Sequence, residues 1–347
     1  MMKNTVGLSA KSRALRAIAL TLPLTMSVLS AHAANDKTSK ILPAPDFVTT
    51  DAMKQVPQFY SVNVGGVKVT AISDGTIPLD VDKLLQGKDV PAINELLEKA
   101  YLSKDVETSI NVYLIEMDGR RVLVDTGAGE LFGAGLGGRL VENLKAAGVS
   151  PEEITDILIT HVHVDHTGGL TMGGKRIFPN AVVYVGKPDV DFFLSPEQAA
   201  KSHYRPAALP HAFEEAVTTV KPYLDSGQLR PFDHEIQILP GLTGALHPGH
   251  TPGSAYYTLT RNGKTIEFIG DTVHVEAVQF ADPSVTIVFD VNAKDAAANR
   301  AKAFANLSSS KVLVAAPHLR YPGIGHVRSD VNGYSWVPLE FADRASK

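Results

Sequence analysis

Apolar positions along the chain recur at two spacings. Short runs rich in β-branched residues predict strands over 67–72, 110–115 and 121–125, and again over 154–159, 181–185, 265–269, 285–289 and 312–316. Apolar residues three and four apart predict helices over 93–102, over 140–147 where Gly148 supplies a stop, and over 295–307. Strands interleaved with helices are the pattern of a layered α/β fold. Several of these strands run straight into turns that carry Asp125, His161, Asp271 or His318, and strand ends are where such folds keep reactive groups.

The first residues follow a different pattern. Lys3, Lys11, Arg13 and Arg16 precede an apolar run from Ala17 to Leu29 and the small-residue stretch Ala31-His32-Ala33. That order reads as a secretory signal peptide over 1–33. An apolar run of about 13 residues is well short of the roughly 20 that span a bilayer as a helix. The expectation is export, to the periplasm, with no membrane association once the leader is removed. Residues 34–58 are polar and Pro-containing and read as an N-terminal arm; 59–347 read as one domain with no low-complexity linker inside it.

Composition narrows the chemistry. The 347 residues include no cysteine, so disulfides and thiolate ligands are excluded and any metal site must use histidines and carboxylates. The whole chain has 33 basic and 37 acidic residues; without the four bases of the leader the balance is 29 to 37, a net charge of −8. Such a surface disfavours nucleic acid as a partner.

The strongest local signal is Thr160-His161-Val162-His163-Val164-Asp165-His166-Thr167-Gly168-Gly169, directly after an apolar strand. Four ligand-type side chains fall within six residues, and imidazole is the commonest nitrogen donor for zinc. If the chain leaves the strand extended, His161 and His163 project to one side while Asp165 and His166 turn toward a neighbouring position, which suits two adjacent metals. His250 in Gly-His-Thr-Pro-Gly, Asp271 in Ile-Gly-Asp-Thr and His318 in Ala-Pro-His are weak signals singly. Their joint presence in this order is specific.

That order resembles the metallo-β-lactamase superfamily over nearly the whole expected mature chain. The flanking Ser73-Asp74-Gly75-Thr76, Val124-Asp125-Thr126-Gly127-Ala128, Leu131-Phe132-Gly133, Ala277-Val278-Gln279-Phe280 and Pro322-Gly323-Ile324-Gly325-His326 are similar to the methyl parathion hydrolase branch and its lactonase relatives. The resemblance implies an α/β fold, a four-layered αββα sandwich. It implies two Zn²⁺ per chain, or another divalent metal: His161, His163 and His250 on one, Asp165, His166 and His318 on the other, Asp271 bridging them. Asp165 and Asp271 would be the catalytic carboxylates, and Asp125 would orient ligands. His247 and His326 are expected to be structural or supporting residues, and His203, His211 and His234 to lie on the surface.

The resemblance also places Phe132, Phe193 and His274 near the metals, with Leu84 as a further pocket position. Two departures from the branch stand out: Ser254 follows Thr-Pro-Gly where many lactonase relatives have His, and His274 is polar where the methyl parathion hydrolases are apolar. Asp271, in place of a cysteine, disfavours the cysteine-containing zinc β-lactamases. The expected activity is hydrolysis of lactones or aryl esters by a hydroxide shared between the two metals. Phosphotriester hydrolysis is expected as a promiscuous activity. The alternatives are a dedicated organophosphate hydrolase and, from another class, an iron-dependent redox member of the same fold. The expected partners are a small-molecule ester, lactone or phosphotriester and, by resemblance, a second copy of the chain in a homodimer.

Overall fold

The computed structural model describes residues 58–343 apart from 205 and 208; the expected leader over 1–33 and the arm over 34–58, all but its last residue, lie outside the described residues. Two seven-stranded sheets form the centre, and their strands are numbered here β1–β14. The first comprises β1 (Phe59–Val64), β2 (Val67–Asp80), β3 (Asp105–Met117), β4 (Arg120–Val124), β5 (Asp156–Leu158), β6 (Val182–Gly186) and β7 (Leu229–Phe232), lying side by side in chain order. The second comprises β8 (Ile236–Leu239), β9 (Leu242–Leu246), β10 (Ala255–Arg261), β11 (Lys264–Phe268), β12 (Leu313–Ala315), β13 (Ile324–Ser329) and β14 (Tyr334–Pro338), again in chain order. The pairs from β1 to β4, β8 to β11 and β12 to β14 are antiparallel, whereas those from β4 to β7 and the β11–β12 pair are parallel, joined by crossovers.

Period-two alternation explains the layering. On β3, Tyr113 and Ile115 face β10 and β11 residues Tyr257, Leu259, Ile266 and Phe268 in the core between the sheets. Val112 and Leu114 face the other way, against Leu140, Leu144, Phe213, Val220 and Tyr223 of the helices Leu140–Ala146 and Ala212–Asp225. The outer face of the second sheet is covered by Ala303, Phe304 and Leu307 of the helix Ala293–Ser310. Because the central strands of each sheet are apolar on both faces, both sheets must be covered on two sides, which gives the four layers αββα.

Several elements differ from the sequence expectation. The strands expected over 67–72 and 110–115 are the middles of β2 and β3, which pair with each other along nearly their whole length. The strand expected over 285–289 shrinks to Thr286–Ile287, because Asp290 turns the chain and accepts the Ile287 N–H at 3.1 Å. The helix expected over 93–102 is Val90–Lys99: Pro91 suits its first turn, and Tyr101 leaves it with a left-handed φ of 58°. Strands β7 to β10, β13 and β14, and the helices Lys187–Phe193 and Ala212–Asp225, had no counterpart in the periodicity reading. Among the described residues no helix is long and apolar enough to cross a membrane.

Candidate metal centre

The turns after β4, β5, β11 and β12 and the β9–β10 connection converge at one end of the sandwich. The turn after β4 brings Asp125, that after β5 the His161–His166 run, that after β11 Asp271, that after β12 His318, and the connection His250. Glycines allow the close approach: a Cβ on Gly253 would sit 2.5 Å from the Asp189 nitrogen. Asp189 is buried and accepts the Val162 and Gly253 N–H groups at 2.8 and 2.6 Å and the Thr251 hydroxyl at 2.8 Å, so it fastens the β5 turn to the His250 loop.

His161, His163, His250 and Asp271 form one group of donors, and Asp165, His166, Asp271 and His318 a second; within each, one ligand atom per residue lies within 4.8 Å of all the others. Asp271 belongs to both. Its Oδ1 is 3.2 Å from His166 Nε2, and its Oδ2 is 3.3 Å from His250 Nε2 and 3.1 Å from His318 Nε2. Asp165 Oδ2 lies 3.3 Å from His318 Nε2 and 3.5 Å from His166 Nε2.

Each imidazole has its other nitrogen held from outside the centre. His166 Nδ1 donates to Asp125 at 2.8 Å, His250 Nδ1 to Asp290 at 2.8 Å, and His318 Nδ1 to the Ser109 carbonyl at 3.0 Å. His161 Nδ1 faces the Thr160 hydroxyl at 3.2 Å. These partners leave Nε2 of all four rings lone-pair inward. His163 is reversed: its Nδ1 lies 3.0 Å from His161 Nε2, and its Nε2 meets the Tyr204 hydroxyl at 2.8 Å.

Asp125 holds a left-handed φ of 63°, a conformation that costs about 1 kcal/mol or more outside glycine. Its carboxylate offsets that cost, because it also accepts the Thr160 N–H and hydroxyl, both at 2.8 Å, and each such bond to a charged group is worth about 1.5–3 kcal/mol.

The electrostatics fit a cation. Asp165 and Asp271 pair only with histidines among the described residues, with no lysine or arginine beside them. Burial alone would raise the Asp271 carboxyl, but the surrounding imidazoles His166, His318, His161 and His274 hold it well below the usual range. Conversely, burial lowers His250 and His318, and the carboxylates overcome it, pushing them up to about 9 and about 10. Carboxylates that draw protons so strongly to this point would draw a divalent cation to it in the same way. His166 Nε2 and Asp271 Oδ1 are buried with no hydrogen-bond partner among the described residues, although both point into the centre. Buried orphans of that kind on ligand-type atoms are what a bound metal satisfies.

The centre floors a cleft of about 960 Å³ whose walls include Ile77, Leu79, Leu84, Phe132, Phe192, Tyr204, Leu209 and Phe289, with Asp165, Asp271, His274 and His318 at the base. Leu84, Phe132 and His274 thus lie on the cleft. Phe193 does not: it is 1% exposed and packs edge-on beneath His163 at 5.7 Å, while its neighbour Phe192 lines the wall. His274 is buried, stacks on His318 with centroids 5.1 Å apart, and places Nε2 2.9 Å from Asp271 Oδ2.

Of the other histidines, His247 stacks on Tyr256 at 3.7 Å and His326 Nδ1 meets the Val312 carbonyl at 3.0 Å, while His203, His211 and His234 are exposed. Ser254 accepts the Thr251 N–H at 2.9 Å, so it closes its own turn and does not touch His250.

Three contributors were missed by sequence reasoning. Asp290 carried the same signal as Asp125 and Asp271, an acid at the end of an expected strand. Asp189 and Tyr204 carried none, since one lies in a helix and the other in an irregular segment. Replacing Asp290 with Asn is expected to weaken metal binding about 10–100-fold, the usual cost of losing an outer carboxylate–histidine contact. Competition against a chromophoric chelator measures it, and an unchanged affinity would remove Asp290 from the site.

Comparison with known proteins agrees with this geometry. A family model described as the metallo-beta-lactamase superfamily matches residues 105–318. Among solved structures, a hydrolase called AbOPH, described as in the beta lactamase superfamily, is 37% identical with a TM-score of 0.78; the match covers 84% of this chain and 100% of that one. AidC, described as a dizinc quorum-quenching lactonase in complex with a product, is 24% identical with a TM-score of 0.72 over 83% and 99% of the two chains, a likeness of fold. A Thermus thermophilus ribonuclease is 29% identical over 53% of this chain, and the match spans only 40% of that relative's length.

Proposed function

The chain belongs to the metallo-beta-lactamase superfamily and is a metal-dependent hydrolase, and from that premise we propose that it is a dinuclear zinc enzyme that hydrolyses lactones and aryl esters, with phosphotriesters as a secondary substrate class. The observation that carries this reading is Asp271, shared between two donor groups at the floor of an apolar cleft. Two divalent ions held there would supply Lewis acidity and a water acidic enough to lose its proton near neutral pH.

The chain's own residues do the rest. Asp271 faces both donor groups, with Oδ2 between His250 and His318 and Oδ1 beside His166, and so ties the two together. Its low pKa keeps it an anion, which a bridging role requires. The apolar walls exclude water from the reacting group and strengthen every electrostatic contact inside. Phe132 and Phe289 offer flat surfaces for an aryl or acyl substituent. Burial lowers the pKa of His274, so it stands beside Asp271 as a neutral imidazole. With Nε2 2.9 Å from the Asp271 carboxylate, the neutral ring carries its proton on Nε2, so the buried Nδ1, which has no hydrogen-bond partner among the described residues, is an acceptor for a hydroxyl or N–H donor. No serine or cysteine nucleophile is needed. The excess of acidic residues disfavours a polyanionic substrate, and the leader-like first 33 residues support export.

Turnover of the zinc-loaded protein against an acyl-homoserine lactone, an aryl ester and an aryl phosphotriester, measured in parallel, tests the reading. Lactone or ester rates well above the phosphotriester rate support it, dominance of the phosphotriester makes the enzyme an organophosphate hydrolase, and silence on all three refutes it. Replacing His274 with Leu is expected to move the ratio of phosphotriester to ester kcat/KM upward by about tenfold, the scale of one hydrogen bond at about 1.4 kcal/mol. If the ratio stays fixed, His274 does not meet the substrate.

A further inference from the structure

Four of the five histidines in the two donor groups are oriented by groups in or beside the ligand-bearing turns and strands: Thr160, Asp125, Asp290 and the Ser109 carbonyl. His163 is the exception. Its outer nitrogen is held by Tyr204, from the connection between the helices Pro196–Lys201 and Ala212–Asp225, a segment that supplies Ser202, Pro206 and Leu209 to the cleft wall.

The proton pattern follows from the distances. His163 Nδ1 is 3.0 Å from His161 Nε2 and 3.1 Å from His250 Nε2, so Nδ1 is the atom turned toward the donor group and the ring hydrogen belongs on Nε2. That N–H donates to the Tyr204 hydroxyl oxygen at 2.8 Å, and the hydroxyl in turn donates to the Phe289 carbonyl at 2.9 Å. The two rings lie within 9° of parallel, and Phe193 packs edge-on against His163, so the imidazole is fixed in both tautomer and tilt. Phe289 stands directly before Asp290, which orients His250. One hydroxyl thus ties a substrate-facing segment to two ligands of the same donor group.

We propose that Tyr204 is a positioning residue that sets His163 for Nδ1 ligation and couples the cleft wall to the His161–His163–His250 half of the metal centre. This rests on the dinuclear reading above. It has two consequences: removing the hydroxyl weakens one of two metal equivalents selectively, and by reciprocity metal binding steadies the segment that carries Tyr204.

The test compares the full chain with its Tyr204→Phe variant, which keeps the ring and loses only the hydroxyl. Zinc affinity is measured by chelator competition, cobalt absorption reports ligand geometry, and hydrogen exchange of the 202–204 amides reports the segment. One equivalent is expected to weaken about 10–100-fold with the other unchanged. The cobalt spectrum should alter, and zinc should slow exchange over 202–204 in the parent far more than in the variant. Equal melting temperatures of the two metal-free proteins would show that the fold is intact. Two unchanged equivalents, or zinc protection of 202–204 that survives in the variant, would overturn the role of Tyr204 while leaving the dinuclear reading standing. A parent chain that takes up no zinc would remove both.

Discussion

Asp271→Asn is expected to lower kcat/KM by about a hundredfold or more and to reduce bound metal from two equivalents toward one. Asp271 is buried and, among the described residues, is the only one common to both donor groups. An amide of the same shape keeps one acceptor oxygen and loses the charge, so it serves one half of the centre and turns an N–H toward the other. Losing several kcal/mol of charge stabilisation at the reacting group corresponds to two or more orders of magnitude in rate. The surrounding imidazoles lose their anion as well, so His250 and His318 should titrate nearer the ordinary range. Elemental analysis together with steady-state kinetics measures both effects. Full metal content with unchanged turnover would show that Asp271 is not the shared group.

The second large effect concerns metal removal. Stripping the protein with a chelator is expected to abolish turnover, zinc should restore it, and the melting temperature should fall by roughly 10 °C. A ligand at 1,000 times its dissociation constant adds about 4 kcal/mol to stability, and each kcal/mol is worth roughly 2–4 °C in a domain of this size. The shift depends on pH, with a definite sign. In the metal-free fold His250 and His318 are raised from 6.5 to about 9 and about 10. Groups raised on folding contribute stability that is complete below about pH 6.5 and is lost as the pH climbs through those two values. Metal must displace the same protons, so its affinity rises over that interval. The metal-free protein therefore weakens with rising pH while the gain on adding zinc grows. Thermal melts with and without zinc at pH 6 and pH 9 check this; a smaller zinc-induced shift at pH 9 would contradict it, and turnover that survives verified removal of metal would end the hydrolase mechanism proposed here.

Much of the site is legible in the sequence because its donors are crowded into short, position-specific patterns. His161, His163, Asp165 and His166 lie within one turn after β5, and the remaining three donors each stand at a strand end or in a Gly-flanked turn. The strands that carry them were legible for the same reason: they are buried on both faces, so they read as short continuous apolar runs. The hairpin β8–β9 was not legible, since its strands are half-exposed and interrupted by Pro240 and Gly241.

The sequence alone determined the kind of chemistry available. With no cysteine, one dense run of His and Asp at 161–166 and three further donors at strand ends or in turns, only a nitrogen- and oxygen-donor metal centre was open to this chain, and the alternation of strands and helices required layers around it. Tertiary structure decided what no local pattern encodes. Phe192 faces the cleft and Phe193 the core because the helix Lys187–Phe193 turns consecutive residues about 100° apart, and only the packing beneath it chooses which one points inward. Asp189, Asp290 and Tyr204 orient the centre through contacts that span 27 to 85 positions of chain. Such contacts arise from how the sheets and connections pack, and spacing along the chain carries no record of them.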